Sequence, residues 1–357
     1  MRPKTKNCCF RSCRPRAGKL SLLALLALLL LSSCGSAGKK DESLRIGVAL
    51  YTQDDTFIST VAQNLEQLAQ DEENRIGQKI TLLIYDSRSN QTTQMDQVER
   101  FLNRGCDVLC INLVDRTAAA VIVDKAAEAG VPLIFFNRQP VEEDIQRWDQ
   151  VYYVGASAPE SGTLQGQLVL DAWQNDPERL DRNGDSVLQY VMLEGEPGHQ
   201  DSLLRTEYSI KAITDGGVEV ERLARDTANW NRAQAAARMR QWLEDFGEQI
   251  EVILSNNDDM ALGAIDALNE IERKPEDWPL IVGVDATAPA QEAVAAGQLY
   301  GTVFNDGKGQ AQAMLDLALA LYAGEDPAQA VELEDGHYVW LPYRTVTLDD
   351  LTWLAMT

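Results

Sequence analysis

Leu44-Arg45-Ile46-Gly47-Val48-Ala49-Leu50-Tyr51-Thr52-Gln53-Asp54-Asp55-Thr56-Phe57 sets a pattern that recurs down the chain. Leu44–Leu50 is a short, nearly unbroken apolar run, which reads as a strand covered on both faces. A polar turn follows, and from about Phe57 to Asp71 the apolar residues return at helical spacing. The rhythm continues with strands expected at Ile80–Tyr85, Val108–Leu113, Leu133–Phe136, Val151–Val154, Val187–Leu193, Val218–Leu223, Val252–Leu254, Leu280–Val284 and Leu299–Phe304. Helical segments separate them, as where Met95, Val98, Phe101 and Leu102 share one face. Such alternation predicts parallel sheets covered by helices, and it is too long for one comfortable sheet. The expected class is therefore α/β, with two doubly wound parallel-sheet lobes. Ligands of such sheets sit at the carboxyl ends of the strands, and polar residues gather there: Asp55, Asn112, Asn256-Asn257-Asp258, Asp285 and Asn305-Asp306. One polar residue after a strand is an ordinary helix cap; five at equivalent strand ends point to a shared cleft.

The first 33 residues stand apart from this pattern. Arg2, Lys4, Lys6, Arg11, Arg14, Arg16 and Lys19 precede an apolar run, Leu20 to Leu31, too short to span a bilayer as a stable helix. Leu31-Ser32-Ser33-Cys34 resembles the bacterial lipobox, so residues 1–33 read as a lipoprotein signal peptide, Cys34 as the lipid anchor and residues 34–43 as a tether. Removing seven cations and no acid takes the net charge from −23 to −30 over the remaining 324 residues. Such a surface disfavours nucleic acid and anionic lipid as partners. Cys106 and Cys110 lie too far apart along an extended segment to pair, and Cys110 reads as a small core residue.

Asp181-Arg182-Asn183-Gly184-Asp185-Ser186-Val187-Leu188-Gln189 offers an oxygen at every second position. Asp181, Asn183, Asp185 and Gln189 can supply side chains and Val187 its carbonyl, an arrangement suited to a hard cation such as Ca²⁺. An EF-hand would have Gly and Glu where Ser186 and Met192 stand, and the following segment is β-prone. The stretch is thus an incomplete calcium loop whose last carboxylate lies elsewhere, or else a polar turn before a strand.

Further motifs occur in chain order: Arg45-Ile46-Gly47-Val48, Asp54-Asp55-Thr56-Phe57, Ile111-Asn112-Leu113-Val114-Asp115, Phe135-Phe136-Asn137, Tyr152-Tyr153-Val154-Gly155, Gly195-Glu196-Pro197-Gly198-His199, Asn256-Asn257-Asp258, Gly283-Val284-Asp285 and Gly301-Thr302-Val303-Phe304-Asn305-Asp306. Together they resemble the bacterial galactose/glucose-binding proteins of sugar ABC transporters, over nearly all of the mature chain. The resemblance implies two lobes joined by a three-strand hinge (the type I periplasmic-binding-protein fold), with residues 44–136 and 306–340 in the first lobe and 137–305 and 341–357 in the second. It implies a sugar sandwiched by Phe57 and Trp230. Asp55, Asp201 and Asp285 would be hydroxyl acceptors, Arg205 a planar donor, Asn112, Asn257 and Asn305 two-way amides, and His199 a donor. It also implies that Glu251 completes a structural Ca²⁺ site with Asp181, Asn183, Asp185, Val187 and Gln189. Asp55 and His199 match the positions that let the family accept either C4 epimer, which leaves glucose and galactose equally open. His337 has no matching role and reads as a surface residue.

The function these features predict is that of an extracytoplasmic, membrane-anchored, monomeric solute-binding lipoprotein delivering the monosaccharide to an ABC permease. An input protein for a chemoreceptor or sensor kinase is the alternative. An enzyme is not expected: no nucleophile elbow or Walker motif occurs, and Arg205 would hold Asp201 and Asp285 ionised.

Overall fold

The computed structural model describes residues 43–271 and 273–354, so the signal segment, Cys34 and nearly all of the tether lie outside the described residues. The strands in chain order are β1 Leu44–Leu50, β2 Ile80–Asp86, β3 Val108–Ile111, β4 Leu133–Phe136, β5 Val151–Ala156, β6 Val187–Glu194, β7 Glu219–Thr227, β8 Val252–Ser255, β9 Leu280–Val282, β10 Thr302–Phe304, β11 Tyr338–Leu341 and β12 Arg344–Val346. The main helices are α1 Thr56–Ile76, α2 Gln91–Asn103, α3 Ala119–Ala129, α4 Ala158–Asn175, α5 Gln200–Asp215, α6 Arg232–Asp245, α7 Asp258–Asn269, α8 Ala288–Ala295 and α9 Gly307–Ala323.

Six parallel strands in the order β11-β5-β4-β3-β1-β2 form the first sheet. Its near-continuous apolar strands divide between two cores. Ile46, Val48 and Leu50 of β1 face α1 and α9, whereas Leu109, Ile111, Leu133 and Phe135 face α2 and α3. The second sheet runs β7-β6-β8-β9, also parallel. The antiparallel pair β10-β12 extends it through single bridges, Val282 to Gly301 and Asp285 to Phe304. Val191, Leu193 and Ile253 pack toward α6 and α7, and Leu188, Tyr190 and Met192 toward α4.

The lobe boundary differs from the sequence expectation. A cut at residue 137 would send Val151–Val154 to the second lobe, but β5 pairs with β4 in register, Leu133 opposite Val151 and Phe136 opposite Val154. Burying Val151, Tyr153 and Val154 on that sheet keeps the chain in the first lobe until Ala156. The chain then crosses between sheets three times, at Ala156-Ser157, Asn305-Asp306 and Pro342-Tyr343. His337 is not a free surface residue: Nδ1 lies 2.7 Å from Val151 O and pins β11 to the start of β5. Cys106 and Cys110 are both buried and unpaired.

Candidate functional site

Three of the candidate site residues, Asp55, His199 and Asn257, are helix caps. Asp55 Oδ1 accepts from Ile58 N at 2.9 Å and starts α1. His199 Nδ1 accepts from Asp201 N at 3.1 Å and starts α5, and Asn257 Oδ1 accepts from Met260 N at 3.0 Å and starts α7. Each spends one acceptor on its own helix and keeps the rest of its side chain at a strand's carboxyl end, the position where parallel sheets bind ligands.

These caps converge on one small cavity between the lobes, about 30 Å³ in volume. Its walls are Asp55, His199, Asp201, Arg205, Trp230, Asn257 and Asp285, joined by Tyr51, Asn137 and Arg138. That volume holds about two waters, so a sugar ring can enter only when the lobes part. Direct contacts across the cleft hold it narrow. Thr56 Oγ1 donates to Asp259 Oδ2 at 2.7 Å, Gln200 Nε2 to Gln139 Oε1 at 3.1 Å, and Arg138 pairs with Glu196 at 2.9 Å.

Arg205 is the electrostatic centre. Nε donates to Ser161 at 3.2 Å, Nη1 to Asn256 O at 2.9 Å, and Nη2 to Asp201 Oδ2 and the Tyr343 hydroxyl, both at 3.1 Å. A guanidinium has five N–H donors, so one on Nη1 remains for a ligand. Burial opposes its charge, but Tyr343, Asp201 and Asp285 hold it protonated. Burial and Arg205 act in opposite senses on the two acids. Burial pushes Asp201 up despite Arg205, Arg138 and Arg116. It pushes Asp285 well above the usual carboxylate range, with repulsion from Asp258 adding to burial and Arg205 opposing. In so tight a cavity desolvation outweighs the cation.

Burial also holds the His199 ring well below its ordinary pKa, helped by repulsion from Arg138, Arg205 and Arg116. The ring is neutral, and because Nδ1 accepts from Asp201 N, its proton sits on Nε2. Nε2 is therefore a hydrogen-bond donor. Trp230 meets His199 edge-on at 5.1 Å and is 8% exposed. Its φ of +61° follows +51° at Asn229, and Asp285 and Ala286 stand at +116° and +51°. Positive φ in bulky residues costs about 1–3 kcal/mol each and gathers where a site demands it. Gly195 makes the room: a Cβ there would run into the indole.

Three expected residues lie outside this lining. Asn112 is fully buried, with Oδ1 accepting from Tyr51 N at 3.3 Å and Nδ2 donating to Phe136 O at 3.0 Å. Both ends of the amide brace strand termini, so it positions its neighbours. Phe57 and Asn305 line a larger cleft, about 690 Å³, which shares Asp285 with the small cavity. Asn305 Nδ2 donates to Asp285 Oδ1 at 3.1 Å. Tyr51, Asn137, Arg138 and Tyr343 carried no role in the sequence reading. The first three follow β1 and β4, so the rule of polar residues at strand ends reaches them.

The sequence pattern described as a periplasmic binding protein domain matches residues 46–326. The chain belongs to the periplasmic binding protein family. It is 39% identical over 310 residues to the D-galactose/methyl-galactoside binding periplasmic protein MglB of Haemophilus influenzae, covering 86% of this chain and 90% of that one. Similarity to a putative rhizopine-binding protein of Rhizobium meliloti is 33% over 308 residues, covering 86% and 91%. Among solved structures, an ABC transporter solute binding protein from Bacillus halodurans with bound myo-inositol superposes with a TM-score of 0.73 at 28% identity, covering 89% of this chain and 99% of that one.

In this periplasmic binding protein the 181–189 loop packs against the start of β8. Glu251, 2% exposed, accepts from Arg182 N at 2.7 Å and Gln189 N at 2.9 Å. Asp181 accepts from Gly184, Asp185 and Ser186 backbone N–H groups, and Asp185 from Val187 N. Asn183 and Gln189 both turn their amide nitrogens to Asp185 Oδ2, at 2.9 and 3.0 Å. Among the described residues no His, Cys and acidic side chains alone form a metal cluster; the donors here are mixed, with amides and a carbonyl beside carboxylates. Burial raises Glu251, and the facing charges of Asp181 and Asp185 raise it further. With both amides turned about, these residues could offer oxygens alone, the donor chemistry a hard cation takes.

Proposed function

We propose that the protein is an extracytoplasmic solute-binding lipoprotein that captures D-galactose or D-glucose between its lobes and presents the closed form to an ABC permease. The observation that carries this reading is the convergence of seven expected sugar residues from both lobes on one cavity, with the donor and acceptor chemistry a pyranose needs. The ring hydroxyls would donate to Asp55, Asp201 and Asp285 and accept from the free Nη1–H of Arg205 and from His199 Nε2. Trp230 offers an apolar face to the ring. Similarity to a galactose-binding relative supports this choice of sugar. Sugar binding favours the closed form because only that form brings both sets of groups to one ligand. The paired acids then act as acceptors of a bound ligand; the reading assigns them no chemistry.

The loop supports a structural Ca²⁺ held by Asp181, Asn183, Asp185, the Val187 carbonyl, Gln189 and Glu251, with both amides turned to present oxygen. Neutralising these acids would tie the start of β6 to that of β8 and brace the strand that leads to His199. Cys34 is the proposed lipid anchor, and Cys34→Ala should move the protein from the membrane fraction to the soluble one. The central test is calorimetry with galactose, glucose, ribose, xylose and arabinose. Hexoses should bind best; a pentose binding better would overturn the assignment.

A further inference from the structure

Tyr51 and Arg138 line the cavity without an assigned role. Tyr51 is 3% exposed, and its hydroxyl donates to Asp55 Oδ2 at 2.7 Å. The other carboxylate oxygen accepts from Ile58 N. Asp55 is therefore held at both oxygens, each keeping a lone pair for a ligand. On the Tyr51 ring lies the guanidinium of Arg138, its Cζ 3.5 Å from the centroid. Arg138 is 6% exposed, and its Nη1 donates to Val114 O at 3.2 Å. The same nitrogen pairs at 2.9 Å with Glu196, which follows β6 in the second lobe. A continuous chain of contacts thus runs from the second lobe through Glu196, Arg138 and Tyr51 to Asp55.

We infer that Tyr51 is a positioning residue that fixes Asp55 for one ring hydroxyl, and that the Glu196–Arg138 pair clasps this arrangement when the lobes close. The inference rests on the proposed role of Asp55 as a sugar acceptor. A cation on the face of a phenol is attracted to it and polarises its O–H. Without the Tyr51 hydroxyl, Asp55 Oδ2 loses its partner and the carboxylate can rotate away from the sugar. A hydrogen bond to an ionised group is worth about tenfold or more in an equilibrium constant. Tyr51 acting only as core would weaken every ligand alike, whereas action through Asp55 weakens only ligands that carry the hydroxyl Asp55 accepts.

The test is calorimetry of wild type, Asp55→Ala and Tyr51→Phe with the preferred hexose and its monodeoxy analogues, with melting temperatures to establish folding. Tyr51→Phe should weaken the parent hexose about tenfold or more. That loss should vanish for the one deoxy analogue on which Asp55→Ala also has no effect. A uniform loss across the analogues, or no loss for the parent, overturns the positioning role. If wild type binds no hexose, the underlying sugar reading fails instead. Glu196→Gln should raise the sugar dissociation rate about two- to fivefold while leaving association unchanged; an unchanged dissociation rate overturns the clasp.

Discussion

Replacing Gly195 with alanine would drive a Cβ into the Trp230 ring, against Cζ2, Cη2 and Cε2. Carbon atoms pack at about 3.5–4.0 Å, so the indole must move by more than about an ångström. The backbone at Gly195 is poorly placed to yield: its N donates to Asn256 Oδ1 at 3.0 Å and its carbonyl accepts from Thr227 Oγ1 at 2.5 Å. Trp230 is confined too, 8% exposed, with its backbone at positive φ and His199 at its edge. Overpacking of this kind costs about 1–3 kcal/mol. Displacing the stacking face should therefore raise the hexose Kd about tenfold or more and lower the melting temperature by about 2–6 °C. Calorimetry and thermal melting read the two effects. Gly216→Ala, which meets only the Leu170 side chain, serves as the reference and should leave the Kd unchanged. Wild-type affinity in Gly195→Ala would refute the placement of Trp230 at the sugar.

Three further outcomes are expected. His199 has a folded pKa well below its unfolded value, so its contribution to stability is complete above about pH 6.5 and is lost as pH falls below that; an NMR titration should find the ring still neutral at about pH 6. Asp201→Asn leaves Arg205 buried without its ion-pair partner and should cost about 3–5 kcal/mol, read as a lower urea midpoint with an unchanged slope. EDTA should lower the melting temperature more than it lowers sugar affinity, and Glu251→Gln should abolish the EDTA response; an unchanged melting temperature in EDTA would remove the calcium proposal.

The inner parallel strands were legible because burial on both faces writes them as apolar runs, and β1, β4 and the start of β5 match their expected spans closely. Short strands were less legible. Leu299–Phe304 shortens to Thr302–Phe304 because Gly297, at positive φ, and Leu299 still close α8. β11 and β12 went unread: each is brief, and Pro342 interrupts them. The lobe boundary was misplaced because an apolar run such as Val151–Val154 does not say which sheet it joins. At the site, residue type at strand ends picked out Asp55, Asn257 and Asp285 of the cavity lining, whereas His199, Asp201, Arg205 and Trp230 came from the resemblance to sugar-binding proteins. Tyr51 and Arg138 escaped because an aromatic and a cation just past a strand read equally well as core and surface. Their roles arise from contacts between residues far apart in sequence, as between Arg138 and Glu196, Tyr51 and Asn112. Asn112 shows the converse, a site-like amide whose two ends are both used by backbone.

The most direct measurement of the central claim is a calorimetric titration of galactose and glucose into wild type and Trp230→Ala. Capture in the interlobe cavity predicts saturable binding of one hexose per wild-type chain, and loss of most of that affinity when the indole is removed. Absence of heat with both sugars, or equal affinity in wild type and Trp230→Ala, would contradict it.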